Sequence, residues 1–165
     1  MPIGFDAVLA HVASMSGEKA IVGWYEGATY PTGIKVAEVA AMNEYGTSTA
    51  PARPFMRPAI AEHGAEWRGM MFNAEIGSNI LDKVALKAEG DIVDSIANGD
   101  HEPLSPVTLA IRKMRENGET ISGASVGRAF RQVKEGTAAF SSNTTPLSDT
   151  GRMIATLTSA VIKND

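Results

Sequence analysis

Apolar positions along this chain change period several times, and each change marks a predicted element. Phe5, Val8, Leu9, Val12 and Met15 recur at the three- and four-residue spacing of one helix stripe, and Gly17 is placed to stop it. Glu18 to Tyr25 then reads as a strand, because Ile21, Val22, Trp24 and Tyr25 are β-branched or aromatic. Gly27 and the turn-prone Tyr30-Pro31-Thr32-Gly33 close it. Helical spacing returns from Ile34 through Val36, Val39, Ala40 and Met42, with Gly46 as the stop after Tyr45.

Pro51, Pro54 and Pro58 keep the next segment extended until Pro58, which suits the first turn of a helix. A long helical region follows, about Pro58 to Ala97, in which Ile76, Ile80, Val84, Ala88, Ile92 and Ile96 recur every four residues. Four glycines within it, Gly64, Gly69, Gly77 and Gly90, invite a kink or a break. Ser105 and Pro106 then read as the cap and first residue of another helix running to Asn117-Gly118. Residues 117–146 are punctuated by glycines and by Ser141-Ser142-Asn143-Thr144-Thr145, which predicts a long loop or arm with a short helix near Val126 to Lys134. Alternation at Leu157, Ser159 and Val161 against Thr158, Ala160 and Ile162 predicts a final strand.

Composition narrows the class. At 165 residues, with 44% hydrophobic and 21% charged positions, the chain suits a single domain over 1–165 that folds on burial alone. It has no cysteine, so thiol nucleophiles, Fe–S clusters and disulfides are excluded. No apolar run approaches the length of a bilayer span. The opening Met1-Pro2-Ile3-Gly4-Phe5-Asp6 lacks the basic and apolar regions of a signal peptide, so the chain is expected to act where it is made. A net charge of −4 argues against a general nucleic-acid binder. One stretch departs from that average: Arg112, Lys113, Arg115, Arg128, Arg131 and Lys134 face only Glu116 and Glu119, which makes them a candidate basic patch, a solvated face or a subunit contact.

Candidate chemistry is sparse. His11, His63 and His101 lie on separate predicted elements, and no G-x-S-x-G elbow accompanies them. Glu62, His63 and Glu66 share a helix face, yet one histidine among carboxylates is not a metalloprotease pattern, and structural carboxylates are the expected reading. Asp149-Thr150-Gly151 matches the tripeptide of aspartic proteases. Only fourteen residues follow Gly151, and Arg152 stands where a carboxylate dyad needs a small neighbour. The turn reading is preferred: Ser148 or Asp149 caps a short helix and Gly151 reverses the chain. No phosphate-binding glycine loop is present, so no catalytic, cofactor-binding or metal-binding residue is assigned.

Four segments, read in order, resemble a known family. Val36 to Gly46, ending in Asn43-Glu44-Tyr45-Gly46, and Pro51-Ala52-Arg53-Pro54-Phe55-Met56-Arg57-Pro58 resemble the pattern A-x-x-x-E-[FY]-G … P-x-R-P-F-[ML]. Leu104-Ser105-Pro106-Val107-Thr108 through Lys113 resembles P-L-S-x-x-T-x-x-x-K, and Leu147-Ser148-Asp149-Thr150-Gly151-Arg152-Met153 resembles L-x-D-T-G-x-[LM]. These are the signatures of phage tail-completion or neck proteins, the HK97-type minor tail components of the virion-morphogenesis family. The order matches from about Trp24 to Ile162, and the segment Asn117 to Thr145 is longer than in many relatives.

That resemblance implies an α+β subunit, rendered by the elements above as a small antiparallel sheet packed against one long and several short helices, with an extended loop or arm. It implies a virion protein, assembled in the host bacterial cytoplasm as a homo-hexameric ring at the head–tail junction. Connector or adaptor proteins would lie on one side and tail-tube or tail-terminator proteins on the other, with no enzymatic activity. Such a ring needs two different surfaces that meet head to tail. Asn43, Glu44, Tyr45, Arg53, Phe55, Met56, Arg57, Asp149 and Arg152 are the candidate interface residues, with Phe55 and Met56 as apolar anchors held out by prolines or, equally, as plugs of the subunit's own core. Glu44 is expected to bind Arg53, within the subunit or across the interface. The six basic residues are candidates for non-specific contact with DNA in the lumen. The alternatives are an aspartic-type hydrolase using Asp149 and a DNA-binding accessory factor.

Overall fold

A computed structural model describes residues 17–75 and 78–163. In chain order the elements are β1 (Glu18–Gly23), α1 (Val36–Tyr45), α2 (Met56–Phe72), α3 (Ile80–Asn98), α4 (Pro106–Glu116), α5 (Gly123–Lys134), α6 (Arg152–Thr156) and β2 (Thr158–Lys163). This is an α+β arrangement, as expected. The first predicted helix, Phe5 to Met15, lies outside the described residues, as does Ile76 of the long apolar stripe.

The two strands pair antiparallel in the register Glu18 opposite Lys163 through Gly23 opposite Thr158, and α3 packs against both. The four-residue recurrence of Ile80, Val84, Ala88, Ile92 and Ile96 explains that contact, since it places one continuous apolar face along α3 and buries all five residues. The main core joins Ile92 and Ile96 to Val36 and Ala40 of α1, Phe55 and Ala59 around the start of α2, and Met153 and Leu157 near the C-terminal end. Val22 of β1 and Trp24 just after it close the core on the sheet side, and the Trp24 indole N–H is satisfied by the Met153 carbonyl at 2.8 Å.

The expected long helix from Pro58 to Ala97 is two helices. α2 ends at Phe72, where Asn73 returns both its backbone N–H and its side-chain amide to the Gly69 carbonyl at 3.0 and 2.9 Å. Asparagine competes for helical hydrogen bonds in this way, and the chain then doubles back so that α2 and α3 form an antiparallel hairpin.

α4 begins as the Ser105-Pro106 pair predicts, with the Ser105 hydroxyl accepting the Thr108 N–H at 3.2 Å. Residues 117–146 are not simply an arm, because Gly123–Lys134 is helical, starting three residues before the expected Val126. A capping box between Ser122 and Ser125 fixes that start. α4 and α5 share a small core of their own, Ala110, Met114 and Ala129, flanked by Val107, Ile111 and Val133. The last turn differs from expectation at its cap: Gly151, at φ 66°, occupies the N-cap of α6, while the Thr150 hydroxyl accepts the Arg152 N–H. Asp149 has other partners.

Candidate functional site

The four family-like segments, up to 110 residues apart in sequence, meet at one junction. The first two segments are joined by Glu44, in the last turn of α1, which is 5% exposed. The carboxylate accepts the backbone N–H groups of Phe55 at 2.8 Å, Met56 at 3.0 Å and Arg57 at 3.1 Å, and the Arg57 Nε at 2.8 Å. Those three amides open α2, the next residue is Pro58, which has none, and the Ala59 N–H already bonds the Phe55 carbonyl. Glu44 therefore satisfies the whole set of free donors that a helix start leaves, and sits where the helix dipole favours negative charge. Burial by itself raises the Glu44 carboxyl, but the hydrogen bonds from Phe55, Arg57 and Met56 outweigh it and hold the group below the usual carboxylate range.

This corrects the expected partner of Glu44. Arg57 takes that place, also reaching the Glu44 carbonyl at 2.8 Å and covering the Tyr45 ring at 5.2 Å. Arg53 turns away to the opposite side of the segment, where Nε and NH2 donate to the carbonyls of Glu102 and Pro103 at 2.6 and 2.9 Å. Its backbone N–H is held by the Asn43 carbonyl at 2.7 Å, and the Asn43 amide is turned inward to Val39 and the Met153 sulfur. Gly46, at φ 75°, makes the turn between the two segments feasible: a Cβ there would lie 2.8 Å from the Ala52 nitrogen.

Phe55 is the second correction. It is 1% exposed and meets Trp24 edge to face at 5.8 Å, so it plugs the subunit's own core and is not an anchor for a neighbour. Met56 is half-buried beside it, whereas Tyr45, Arg57 and Arg152 remain exposed.

The basic patch is the third. Arg112 is buried at 6% exposure, donating from one nitrogen to the carbonyls of Asn143 at 2.9 Å and Thr145 at 3.0 Å, with Asp149 3.4 Å from Nε. Burial pulls its pKa down and Asp149 opposes that shift. Arg112 cannot face DNA. Arg115 pairs with the same Asp149, Lys113 with Glu116 at 3.2 Å, and Arg128 with Glu119. Arg131 and Lys134 stay on the exposed side of α5. Asp149 is thus clamped by two guanidinium groups, where an aspartic dyad would place a second carboxylate. Between this clamp and Arg53 lies a cleft of about 310 Å³, lined also by Tyr30, Asn43 and Thr108.

Of the candidate metal group, His63 and Glu66 come together with Asp91 of α3, which sequence reasoning did not connect to them. Lys87 fills the same space, with Nζ 2.7 and 2.8 Å from the Asp91 oxygens and 3.3 Å from Glu66. Trp67 donates to Asp91 at 2.8 Å and stacks on His63. The network ties α2 to α3 with a cation already in place, consistent with structural carboxylates. Among the described residues no helix is long and apolar enough to cross a membrane.

Comparisons with protein-family models, with curated proteins and with solved structures found no match.

Proposed function

We propose that this chain is a structural subunit of a tailed-phage virion, a tail-completion or neck protein that forms a homo-hexameric ring at the head–tail junction and performs no catalytic step. The observation that carries the reading is the ordered set of four family-like segments, each of which contacts another. Glu44 of the first caps the helix that the second opens. Arg53 of the second holds the turn that leads into the third. Arg112 of the third binds Asp149 of the fourth. The signature residues thus act as the frame of one subunit, and the assembly contacts fall to the residues this frame leaves outside: Tyr45, Arg57, Arg152 and the outer faces of the two helical hairpins.

Connector or adaptor proteins on the head side and tube or terminator proteins on the tail side are the partners this role requires. Of the six basic residues, Arg112, Lys113, Arg115 and Arg128 are engaged within the subunit, which leaves Arg131 and Lys134 as the pair open to a contact outside it. Negative-stain imaging together with native mass measurement tests the proposal. A closed ring is expected, and a monomer persisting at high concentration would refute it.

A further inference from the structure

The two helical hairpins carry opposite charge. Between Met56 and Asn98 there are four Lys or Arg against seven Asp or Glu, whereas between Pro106 and Lys134 there are six against two. In each hairpin one exposed apolar side chain lies among charges of the hairpin's dominant sign: Leu86 on α3 of the first, which also exposes Ile60, Met71 and Phe72 on α2, and Phe130 on α5 of the second. On α3, Leu86 is 67% exposed, and Asp82 and Glu89, four residues before it and three after, share its helix face. Of the two lysines of α3, Lys87 is bound to Asp91 and Glu66, whereas Lys83, three residues before Leu86, is exposed at the edge of the same face and lines a hollow with Met70 of α2. On α5, Phe130 is 60% exposed, with Arg131 beside it and Lys134 one turn on, and the small Gly127 lies one turn before. The α5 face is an aromatic knob with two cations beside it and the α3 face an aliphatic knob with two carboxylates and one lysine beside it, so the net signs are opposite.

The geometry points to these two faces as the complementary halves of a single contact between copies of this chain: the Phe130 face of α5 in one copy docks on the Leu86 face of α3 in the next. A contact between two different faces is heterologous, so repetition propagates head to tail and closes into a ring when the rotation allows. Aromatic and aliphatic knobs supply the desolvated centre, while Arg131 and Lys134 against Asp82 and Glu89 set register and reject the like-charged pairing of α5 with α5. A second copy fits the α5 face better than nucleic acid does, because the phenyl ring projects at its centre and only two unengaged cations flank it. This inference rests on the ring reading above and names the surface that builds the ring.

Charge exchange tests it on the full chain by native mass measurement. Arg131→Glu with Lys134→Glu, and separately Asp82→Lys with Glu89→Lys, are each expected to weaken assembly about tenfold or more. Unchanged circular dichroism and melting would confirm that both variants fold. An equimolar mixture of the two variants is expected to reassemble into rings in which they alternate, because each then meets its charge complement on both sides. Rings that survive in either variant alone, or a mixture that stays monomeric, would overturn the docking while leaving the ring reading in place. A wild-type chain that never assembles would overturn both. Loss of salt-sensitive retention on a random-sequence duplex with assembly intact would assign the α5 face to nucleic acid instead.

Discussion

The body of the molecule and its α4–α5 hairpin are held by different physics. In the body, the sheet and α1 to α3 close on one another through Val36, Phe55, Ile92, Ile96 and their neighbours, and the buried carboxylate of Glu44 serves only to finish a helix. The hairpin has just three fully buried apolar residues of its own, and it is joined to the body by polar clasps: Arg112 to two carbonyls and Asp149, Arg115 to the same Asp149, and Arg53 to the turn before α4. Apolar burial is non-directional and spreads its free energy over many contacts. A clasp concentrates it in a few oriented bonds. One lost contact should therefore weaken the body as a whole, whereas one lost clasp should release the hairpin and leave the body folded.

The largest effect should come from Phe55→Ala. Emptying a fully buried aromatic site costs about 3–5 kcal/mol in typical cores. Global stability by denaturant titration should fall by that amount, with body and hairpin probes moving together. Had Phe55 been a partner anchor, assembly would suffer and folding would not; its burial reverses that expectation.

Glu44→Gln should follow, at roughly 2–3 kcal/mol, because an amide oxygen cannot serve three backbone donors and a guanidinium at once. The sign with pH is fixed by the depressed carboxyl. Its contribution is complete above the unfolded value of about 4.3 and is lost as pH falls through the lower folded value. The difference in melting temperature between wild type and Glu44→Gln should accordingly hold from about pH 7 down to about pH 4.3 and shrink as the pH falls further. A gap that stays constant would show that the charge of Glu44 is not what matters.

The residues that build these two regions were unequally legible in sequence. The strands, α1, α4 and the Ser105 cap follow from local signals that the structure keeps. The glycines between Pro58 and Ala97 announce a kink or a break, but not its place at Asn73 nor the reversal of the chain there, because apolar periodicity carries no sign of direction when both helices face one core. The choice of Arg57 over Arg53 for Glu44 depends on α2 starting at Met56, which aims its free N–H groups and the Arg57 side chain at the carboxylate. Arg112 left no signal at all, since an arginine opposite the apolar stripe of a helix reads as solvated and its principal partners are backbone carbonyls. Lys87 and Asp91 were separated from His63 by the same undetected reversal.

Arg112→Met sharpens the comparison. The substitution keeps most of the buried stem but leaves the carbonyls of Asn143 and Thr145 without their donor, at about 1–3 kcal/mol. Hydrogen exchange should accelerate across the segment from Ser141 to Asp149 and in α4, while the central amides of α3 stay protected. Equal acceleration in α3 would mean that hairpin and body unfold as one unit.

The smallest effect should be Ser105→Ala, which removes the hydroxyl that accepts the Thr108 N–H and leaves Pro106 in place at the first helical position. Losing an N-cap of this kind costs about 1 kcal/mol. The cost should be local, because Ser105 is exposed and the two arginines that clasp Asp149, Arg112 and Arg115, lie beyond the first turn of α4. Exchange should rise in the first turn of α4 alone, with Asp149 and its clasps undisturbed. If Ser105→Ala instead loosened the segment around Asp149 as much as Arg112→Met does, the clasps would depend on the integrity of α4 from its first residue, and the hairpin would be a single cooperative unit in which cap and clasp cannot be separated.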